Sequence, residues 1–298
     1  MTREYSFVAD ISGIRLDKFV GEKCQELSRT HAQQLIIGGF ITVNGREAKS
    51  SLKLNIGDKV DITIPPEPPS HLVPESIPLK IIYEDADLLV VDKPAGLAVH
   101  PAPGHPAHTL VNAILSYLPG LAQDADSLRP GIVHRLDKDT SGLILVAKNR
   151  VAQANLSEQF KSRSVSKAYL VLVKGKLTPE RGIIEAAIGR DPRNRQRMAV
   201  VSKGREARTD YRVIKYYGNY SLLEIKPETG RTHQIRVHLA AIGFPVVGDA
   251  TYGFKSPHLS RQFLHAYKLG FHLPSTGGYV EFESPLPPDL EQALREID

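Results

Sequence analysis

The segment Gly131-Ile-Val-His-Arg-Leu-Asp-Lys-Asp-Thr-Ser-Gly142 lies directly before the apolar run Leu143-Ile-Leu-Val-Ala147. The run predicts a buried strand, so the charged segment leads directly into the end of that strand. In an extended chain Arg135 and Asp137 leave on the same face, whereas Leu136 points the other way into a core. Spacing alone favours a plainer interpretation, a solvated turn whose polar side chains cap the backbone.

Length and charge narrow the class of protein. A chain of 298 residues has room for two domains of unequal size. Its net charge of +5 favours a polyanionic partner, with nucleic acid first and an acidic membrane surface second. Apolar runs such as Leu88-Leu-Val-Val91 fall far short of the roughly 20 residues that span a bilayer. The first residues lack an apolar signal core, and a lone Cys24 excludes an intrachain disulfide, so we expect a cytoplasmic protein.

The charged segment does not stand alone. Asp92-Lys-Pro-Ala-Gly-Leu-Ala-Val-His-Pro101 precedes it, and it is followed by Lys167-Ala-Tyr-Leu170, Gly230-Arg-Thr-His-Gln-Ile-Arg-Val-His-Leu239 and Gly248-Asp-Ala-Thr-Tyr-Gly253. Together with His134-Arg-Leu-Asp137, this series resembles the RluA family of ribosomal large-subunit pseudouridine synthases, from about Leu79 to the C-terminus. The resemblance implies an enzyme that isomerises uridine in RNA.

A proline-rich stretch predicts a domain boundary. Six prolines fall between Pro65 and Pro78, which disfavours helix and central strand. We therefore expect a small domain at 1–64, a linker at 65–78 and a catalytic domain at 79–298. In the third part, strands and occasional helices alternate without a βαβ period, which predicts an α+β fold with a largely antiparallel sheet. The resemblance implies the same mixed central sheet.

The N-terminal part predicts two helices and short strands. Ser28 is a candidate N-cap for the second helix and Gly38-Gly39 its stop. Asn44-Gly45 is a type I′ turn signal after the strand Phe40–Val43, and a further strand is expected within Lys53–Ile64.

This unit resembles the RNA-binding domain of small-subunit ribosomal protein four, over roughly 15–62. Its markers are Arg15-Leu-Asp17, Ser28-Arg29 and Val43-Asn44-Gly45. The resemblance implies phosphate contacts, for which we expect Arg15, Lys18, Arg29 and Arg46. Solvent-facing helix charges are the plainer alternative.

The reaction that the resemblance implies breaks the bond between ribose and a base nitrogen, turns the uracil and rejoins it through a ring carbon. It needs neither a redox cofactor nor a metal. By the same resemblance Asp137 is the catalytic carboxylate; attack on the ribose, attack on the base and a glycal route all remain open. A guanidinium would keep that carboxylate ionised in a dry pocket, and we expect Arg231 as its partner.

Substrate contacts are expected from several motifs. Arg231 and Ile235 fall on one face of a predicted helix that starts near Thr229-Gly230 and would face the pocket. A base in folded RNA must be extruded at a cost of a few kcal/mol, which stacking on an aromatic ring offsets. The resemblance implies that Tyr169 is this ring and that Arg135 fills the vacated stack. A strand residue with its ring in the core is the alternative for Tyr169.

Two further clusters of side chains could bind phosphate groups or a metal ion. From Arg190 to Arg208 there are seven Lys or Arg residues, and Arg193, Arg195 and Arg197 alternate as on one strand face, which fits a phosphate-tracking arm or a merely solvated run. The histidines His100, His105 and His108 do not form a zinc site, because no acid or thiol completes a tetrahedral set.

The predicted function is therefore a monomeric pseudouridine synthase of large-subunit ribosomal RNA or its assembly particle, without cofactor, metal or membrane. A non-catalytic RNA-binding or ribosome-assembly factor on the same scaffold is the alternative. A nucleoside hydrolase is disfavoured because Asp139 is badly placed as a second acid.

Overall fold

The computed structural model describes residues 2–24, 27, 29–65, 72–101, 106–124, 129–194, 197–253 and 255–297, without the side chains of 29, 30 and 122–124. The chain divides into two compact units, Met1–Ser70 and His71–Asp298. Residues 66–71 of the predicted linker lie outside the described residues. Its last part does not behave as a linker: Leu72 and Ile77 pack against the core of the second unit, and Asn112 Nδ2 donates to the Val73 carbonyl at 2.8 Å.

The first unit is a small sheet with two helices. Its antiparallel strands are ordered β1-β4-β2-β3. The elements are β1 Arg3–Val8, α1 Leu16–Lys23, α2 Arg29–Ile37, β2 Ile41–Val43, β3 Arg46–Glu47 and β4 Lys59–Ile64. Phe19, Ile41 and Ile62 lie in a shared core, so both helices bury an apolar stripe against the sheet.

The turns and element ends predicted for the first unit can be compared with the structure. Asn44 and Gly45 both have positive φ, 53° and 77°, as a type I′ turn requires. Helix α2 ends just before Gly38-Gly39. The last strand, Lys59–Ile64, lies within the expected stretch Lys53–Ile64, and the predicted cap Ser28 lies outside the described residues.

The second unit is built on a mixed sheet in the order β5-β6-β7-β14-β8-β13-β12-β9, with β15 paired to β14. Among the described strand pairs of this sheet, β7 with β14 is parallel and the others are antiparallel. The α+β fold with a largely antiparallel sheet is therefore confirmed. The strands of this sheet are β5 Lys80–Glu84, β6 Leu88–Lys93, β7 Ser141–Ala147, β8 Ser166–Lys174, β9 Arg181–Glu185, β12 Arg208–Tyr217, β13 Tyr220–Pro227, β14 Leu264–His272 and β15 Tyr279–Glu283. A separate two-stranded antiparallel sheet is formed by β10 Ile188–Arg190 and β11 Met198–Val200.

Helices cover the sheet. They are α3 Leu110–Tyr117, α4 Arg150–Lys161, α5 Gln234–Ala241 and α6 Pro288–Ile297. Ile114 of α3 packs with the β6–β7 region, Leu156 of α4 against the other face of the same strands, and Leu239 of α5 against β8 and β13. None of the helices among the described residues is both long and apolar enough to cross a membrane.

Strand β7 is central to the site because it follows the charged segment directly. All of its residues, Ser141–Ala147, are buried. Gly142 pairs with Ala266 of β14 and has a φ of 113°, and a Cβ there would overlap the Ala266 carbonyl oxygen. The close parallel pairing of β7 with β14 therefore depends on a glycine at this position.

Candidate active site

A cavity of about 540 Å³ opens beside the start of β7, within the second unit. Its walls come from the segment Val133–Asp137, the start of β8, and the connection from β13 into α5. The volume lies in the range of pockets that hold small organic ligands. The sequence had placed its motifs far apart, and the fold brings three of them around one space.

Asp137 lies in this cavity at one end of a row of three charged side chains, Asp137, Arg236 and Asp249. Its Oδ2 accepts a hydrogen bond from Arg236 Nη1 at 3.0 Å. The same guanidinium donates to both carboxylate oxygens of Asp249, at 2.7 and 2.9 Å. The side chain of Asp249 is 0% exposed and that of Asp137 is 16% exposed, so the arginine joins a buried anchor to a carboxylate that can reach a ligand.

Each charged side chain in this row stabilises the charged form of its neighbour. Burial opposes the positive charge of Arg236, but its hydrogen bonds to Asp249 and the charge of Asp137 outweigh burial and raise its pKa. Burial likewise works against the ionised form of Asp249. Asp249 accepts hydrogen bonds from Arg236 and from the backbone N–H groups of Tyr252 and Thr251, and together these lower its pKa. Arg236 therefore stays protonated in a site from which most water is excluded.

The expected partner of Asp137, Arg231, was the wrong arginine. The predicted helix starts only at Gln234, because His233 takes a left-handed conformation with a φ of 57°. Arg231 precedes this turn, and its Nε donates to the Glu206 carbonyl at 3.0 Å. Arg231 still lines the cavity, as predicted, and so does Ile235.

Gln234 holds the loop that carries Arg231. Its Oε1 accepts from Thr229 Oγ1 at 2.7 Å and from the Arg231 backbone N–H at 3.0 Å. Its Nε2 donates to the Arg208 carbonyl and to Thr209 Oγ1, both at 2.9 Å. These four bonds of a buried amide fix the cavity rim to β12.

Tyr169 of β8 forms an opposite wall. Its ring is partly buried against the cores on both sides of β8, and it lines the cavity. Burial, reinforced by the charge of Asp137, raises the pKa of its hydroxyl, so the phenol is neutral at physiological pH. Tyr169 therefore packs against the core and also faces the cavity, and its role as a stacking ring stays a prediction.

The rim of the cavity is strongly positive. Arg135 is exposed there, on the same side of the chain as Asp137, whereas Leu136 between them is buried in the core, as the alternation predicts. Acidic side chains on the lining are Asp137 and Glu228. The basic ones are Arg135, Lys161, Arg163, Lys167, Arg231 and Arg236. Such an excess of cations suits a ligand that carries several negative charges.

The turn that holds Asp137 is anchored from below by Lys93. This lysine is 1% exposed, and its ammonium donates to the carbonyls of Pro94, Leu97 and Lys138 at 2.7, 2.8 and 3.0 Å. Burial lowers the pKa of Lys93 to about 7, against the opposing charges of Asp139 and Asp137. Lys93 therefore ties the Asp92–Pro101 motif to the turn that holds Asp137.

Arg261 anchors the same turn from another side. Its guanidinium forms a bidentate pair with Asp289 of α6 and donates to the Asp139 carbonyl at 3.1 Å. Ser141 Oγ lies 3.0 Å from His265 Nδ1 of β14. These contacts hold the backbone on the C-terminal side of Asp137.

His134 fixes the segment on its N-terminal side. The Leu145 backbone N–H donates to His134 Nε2 at 2.8 Å, so this nitrogen carries no proton. Burial, with a contribution from the charge of Lys167, lowers the pKa of His134 to about 3. The ring stacks on Phe160 with centroids 4.4 Å apart. His134 is therefore a neutral structural residue rather than an acid or base of the reaction.

The remaining predicted contacts are distributed over both units. Arg193 lies in a bend after β10 and not on a strand, so the expected alternation along one strand face is wrong. Arg195 lies outside the described residues, and Arg197 packs over the ring of Tyr252 at 5.0 Å. In the first unit Arg15 pairs with Asp17 at 3.0 Å, Lys18 and Arg46 are exposed, and the side chain of Arg29 lies outside the described residues.

No group of three His, Cys, Asp or Glu side chains suited to a metal ion occurs in the described parts of the chain. Of the three clustered histidines, His108 pairs with Glu75, His100 is buried, and His105 lies outside the described residues.

Sequence reasoning missed four residues around Asp137, namely Arg236, Asp249, His233 and Tyr252. All four are in motifs that the resemblance had already marked. The signal was therefore present, but sequence spacing does not say which member of a motif faces the cavity.

Comparison with known proteins identifies the class. The profile of the RNA pseudouridylate synthase family matches residues 87–241, and that of the S4 domain matches residues 14–60. The chain belongs to the RNA pseudouridylate synthase family, is an RNA pseudouridine synthase, and carries an N-terminal S4 domain.

Individual relatives agree with this assignment. The chain is 52% identical to an RNA pseudouridine synthase of Chloroflexus aurantiacus over 95% of this chain and 90% of that protein. It is 43% identical to the ribosomal large subunit pseudouridine synthase D of Nitrosomonas europaea over 99% and 88% of the two chains. The solved structure of human RNA pseudouridylate synthase domain containing 1 is 34% identical, with a TM-score of 0.59, and covers 74% of this chain and 89% of its own.

Proposed function

We propose that this enzyme isomerises specific uridines in large-subunit ribosomal RNA, with Asp137 as the catalytic carboxylate and the target base extruded into the cavity. The observation that carries the proposal is the pairing of Asp137 with Arg236 inside a nucleotide-sized, cation-rimmed cavity. A protein that only bound RNA would have no need for a carboxylate held in this way, because a desolvated charge is costly. The relative from Nitrosomonas europaea, which is named as a large-subunit synthase, supports this RNA class.

The proposed reaction rearranges the bond between uracil and ribose. The bond between N1 of uracil and C1′ of ribose breaks, a bond between C5 and C1′ forms, the proton of C5 leaves and N1 gains a proton. Asp137 acts on the ribose or on the base as nucleophile, or removes the C2′ proton as base, and Arg236 positions it by the hydrogen bond to its Oδ2. Tyr169 stacks on the extruded uracil, and Arg135 fills the place that it leaves.

The surrounding charges serve binding. Arg231 and Ile235 contact the nucleotide at the rim and wall of the cavity. Arg193, Arg195 and Arg197, with Arg15, Lys18, Arg29 and Arg46 of the S4 domain, contact phosphates outside it. The enzyme acts as a monomer in the cytoplasm, on ribosomal RNA or on an assembling large subunit, and so takes part in ribosome biogenesis.

The decisive assay uses ribosomal RNA labelled with tritium at C5 of uracil, because that hydrogen is released when the new bond forms. We expect release by the native chain and none above background by Asp137→Asn, which keeps an oxygen for Arg236 but has no charge. Asp139→Asn is the matched control, since it removes a carboxylate two residues away and keeps the carbonyl that Arg261 binds.

Each outcome has a definite meaning. Equal release by the native chain and by Asp137→Asn removes Asp137 from catalysis. Release from transfer RNA but not from large-subunit RNA overturns the substrate. No release from any RNA, with RNA still bound, favours the assembly factor.

A further inference from the structure

Tyr252 occupies a special position between the active site and the β10–β11 hairpin, the segment Ile188–Val200. Its hydroxyl oxygen accepts a hydrogen bond from the Met198 backbone N–H of the hairpin at 2.8 Å. The same oxygen lies 2.8 Å from Nδ1 of His233. His233 in turn points its Nε2 at Asp137 Oδ2, 3.9 Å away. One hydroxyl therefore connects the hairpin with the catalytic carboxylate through a single imidazole.

The hydrogen bonds around Tyr252 decide which nitrogen of His233 carries the proton. The Met198 N–H can only donate, so it uses one lone pair of the phenol oxygen. In the described part of the structure, Nδ1 of His233 is the available acceptor for the phenol proton. If Nδ1 carried a proton itself, the oxygen would receive two donors and its own hydrogen would be left without an acceptor. The arrangement is satisfied when Nδ1 accepts and Nε2 carries the proton.

The ring of Tyr252 makes a second connection. The guanidinium carbon of Arg197 lies 5.0 Å from the ring centroid and that of Arg236 lies 5.1 Å from it. Arg197 belongs to the hairpin, whereas Arg236 holds Asp137. A guanidinium over an aromatic face is attracted by the negative potential of the ring. The ring therefore packs the hairpin against the arginine that positions the carboxylate.

We propose that Tyr252 is a positioning residue, which fixes His233 as the Nε2–H tautomer and presents that N–H to Asp137. The 3.9 Å separation closes to hydrogen-bond distance when the RNA is bound, as catalytic contacts commonly tighten on going from the free to the occupied site. The hairpin takes part because the Met198 N–H blocks the alternative orientation of the hydroxyl. This inference rests on the proposed function only in assigning catalysis to Asp137.

The tautomer can be measured without any activity. In two-bond ¹H–¹⁵N spectra of the full chain labelled with ¹⁵N-histidine, we expect His233 to show a protonated Nε2 and an unprotonated Nδ1. Its signals are those that disappear in His233→Asn. In Tyr252→Phe the hydroxyl is lost and the ring stays, so we expect the Nδ1–H form to appear beside the Nε2–H form. A native chain with the proton on Nδ1 overturns the proposal, whatever the activity of Asp137→Asn.

Kinetics test the consequence. Tyr252→Phe should lower kcat by about 10- to 100-fold, the range seen when a group that orients a metal-binding histidine is removed, with KM within about twofold of native. His233→Asn keeps an oxygen near the position of Nδ1 and tolerates the left-handed backbone, but it cannot reach Asp137. We expect a similar loss of kcat and an unchanged melting temperature.

The double variant separates positioning from ordinary packing. Because both residues act through one contact, the double variant should lose no more kcat than the worse single variant. Losses that multiply, or a native kcat in Tyr252→Phe, contradict the proposal. An active Asp137→Asn together with the expected spectrum contradicts the proposed function instead, so the two failures are distinguishable.

Discussion

Replacing Arg236 by methionine should test how strongly the buried charges depend on one another. The variant keeps most of the side-chain volume and removes the three hydrogen bonds to Asp137 and Asp249. Asp249, whose side chain is 0% exposed, is then left with the backbone N–H groups of Thr251 and Tyr252. Breaking a buried pair in this way costs about 3 to 5 kcal/mol, because a charge remains buried without its partner.

The measurement is urea unfolding of the full chain, followed by a signal from the second unit. With an m value near 3 kcal/mol/M, a loss of that size lowers the midpoint by about 1 to 1.7 M. Arg236→Lys is the matched control, since it keeps the charge but lacks the planar guanidinium. Its urea midpoint should lie between those of the native chain and Arg236→Met. Asp137→Asn should shift the midpoint little, because the bidentate pair with Asp249 is intact.

The contribution of the Asp249 carboxylate to stability depends on pH. Arg236 lowers the pKa of Asp249 below its ordinary value of 3.8, so this carboxylate adds stability above about pH 4 and loses it as the pH falls further. The methionine variant lacks that contribution. The difference between the native and variant midpoints should therefore be largest at neutral pH and shrink below pH 4. A variant that unfolds at the native midpoint at pH 7 refutes the reasoning.

Three further changes have definite expectations. Gly142→Ala should destabilise the second unit by about 3 kcal/mol or more, since its Cβ would overlap the Ala266 carbonyl in a backbone with φ of 113°; thermal unfolding checks this, and a native melting temperature contradicts it. Tyr169→Leu should lower kcat/KM by about 5- to 150-fold through lost stacking, whereas Tyr169→Phe should keep the affinity for RNA; equal effects on affinity would rule out a stacking role. Arg193→Gln should reduce the slope of log affinity against log salt by about one, and Lys226→Gln, away from the cavity lining, should leave it unchanged.

Local features of the sequence were sufficient to predict much of the fold. The apolar run Leu143–Ala147 is buried along its whole length, Asn44-Gly45 makes the expected turn, and the S4 domain is confirmed. The run and the turn depend on neighbours in the chain, whose periodicity or backbone preference can be read from the sequence, whereas the S4 domain was expected from a resemblance. The bend at Arg193 was not predicted because alternation of charges over a few residues does not distinguish a strand from a loop.

The sequence by itself determined the side of the chain on which the Asp137 carboxylate lies, because a buried strand follows directly and Asp137 alternates with the buried Leu136. Only the tertiary structure decided which arginine holds it. Arg231 and Arg236 stand five residues apart in one motif, and a helical pattern starting near Thr229 made the first face the pocket. The left-handed backbone at His233 starts the helix later, so Arg236 turns inward between Asp137 and Asp249. Ion pairs between distant segments are set by packing, which sequence spacing does not record.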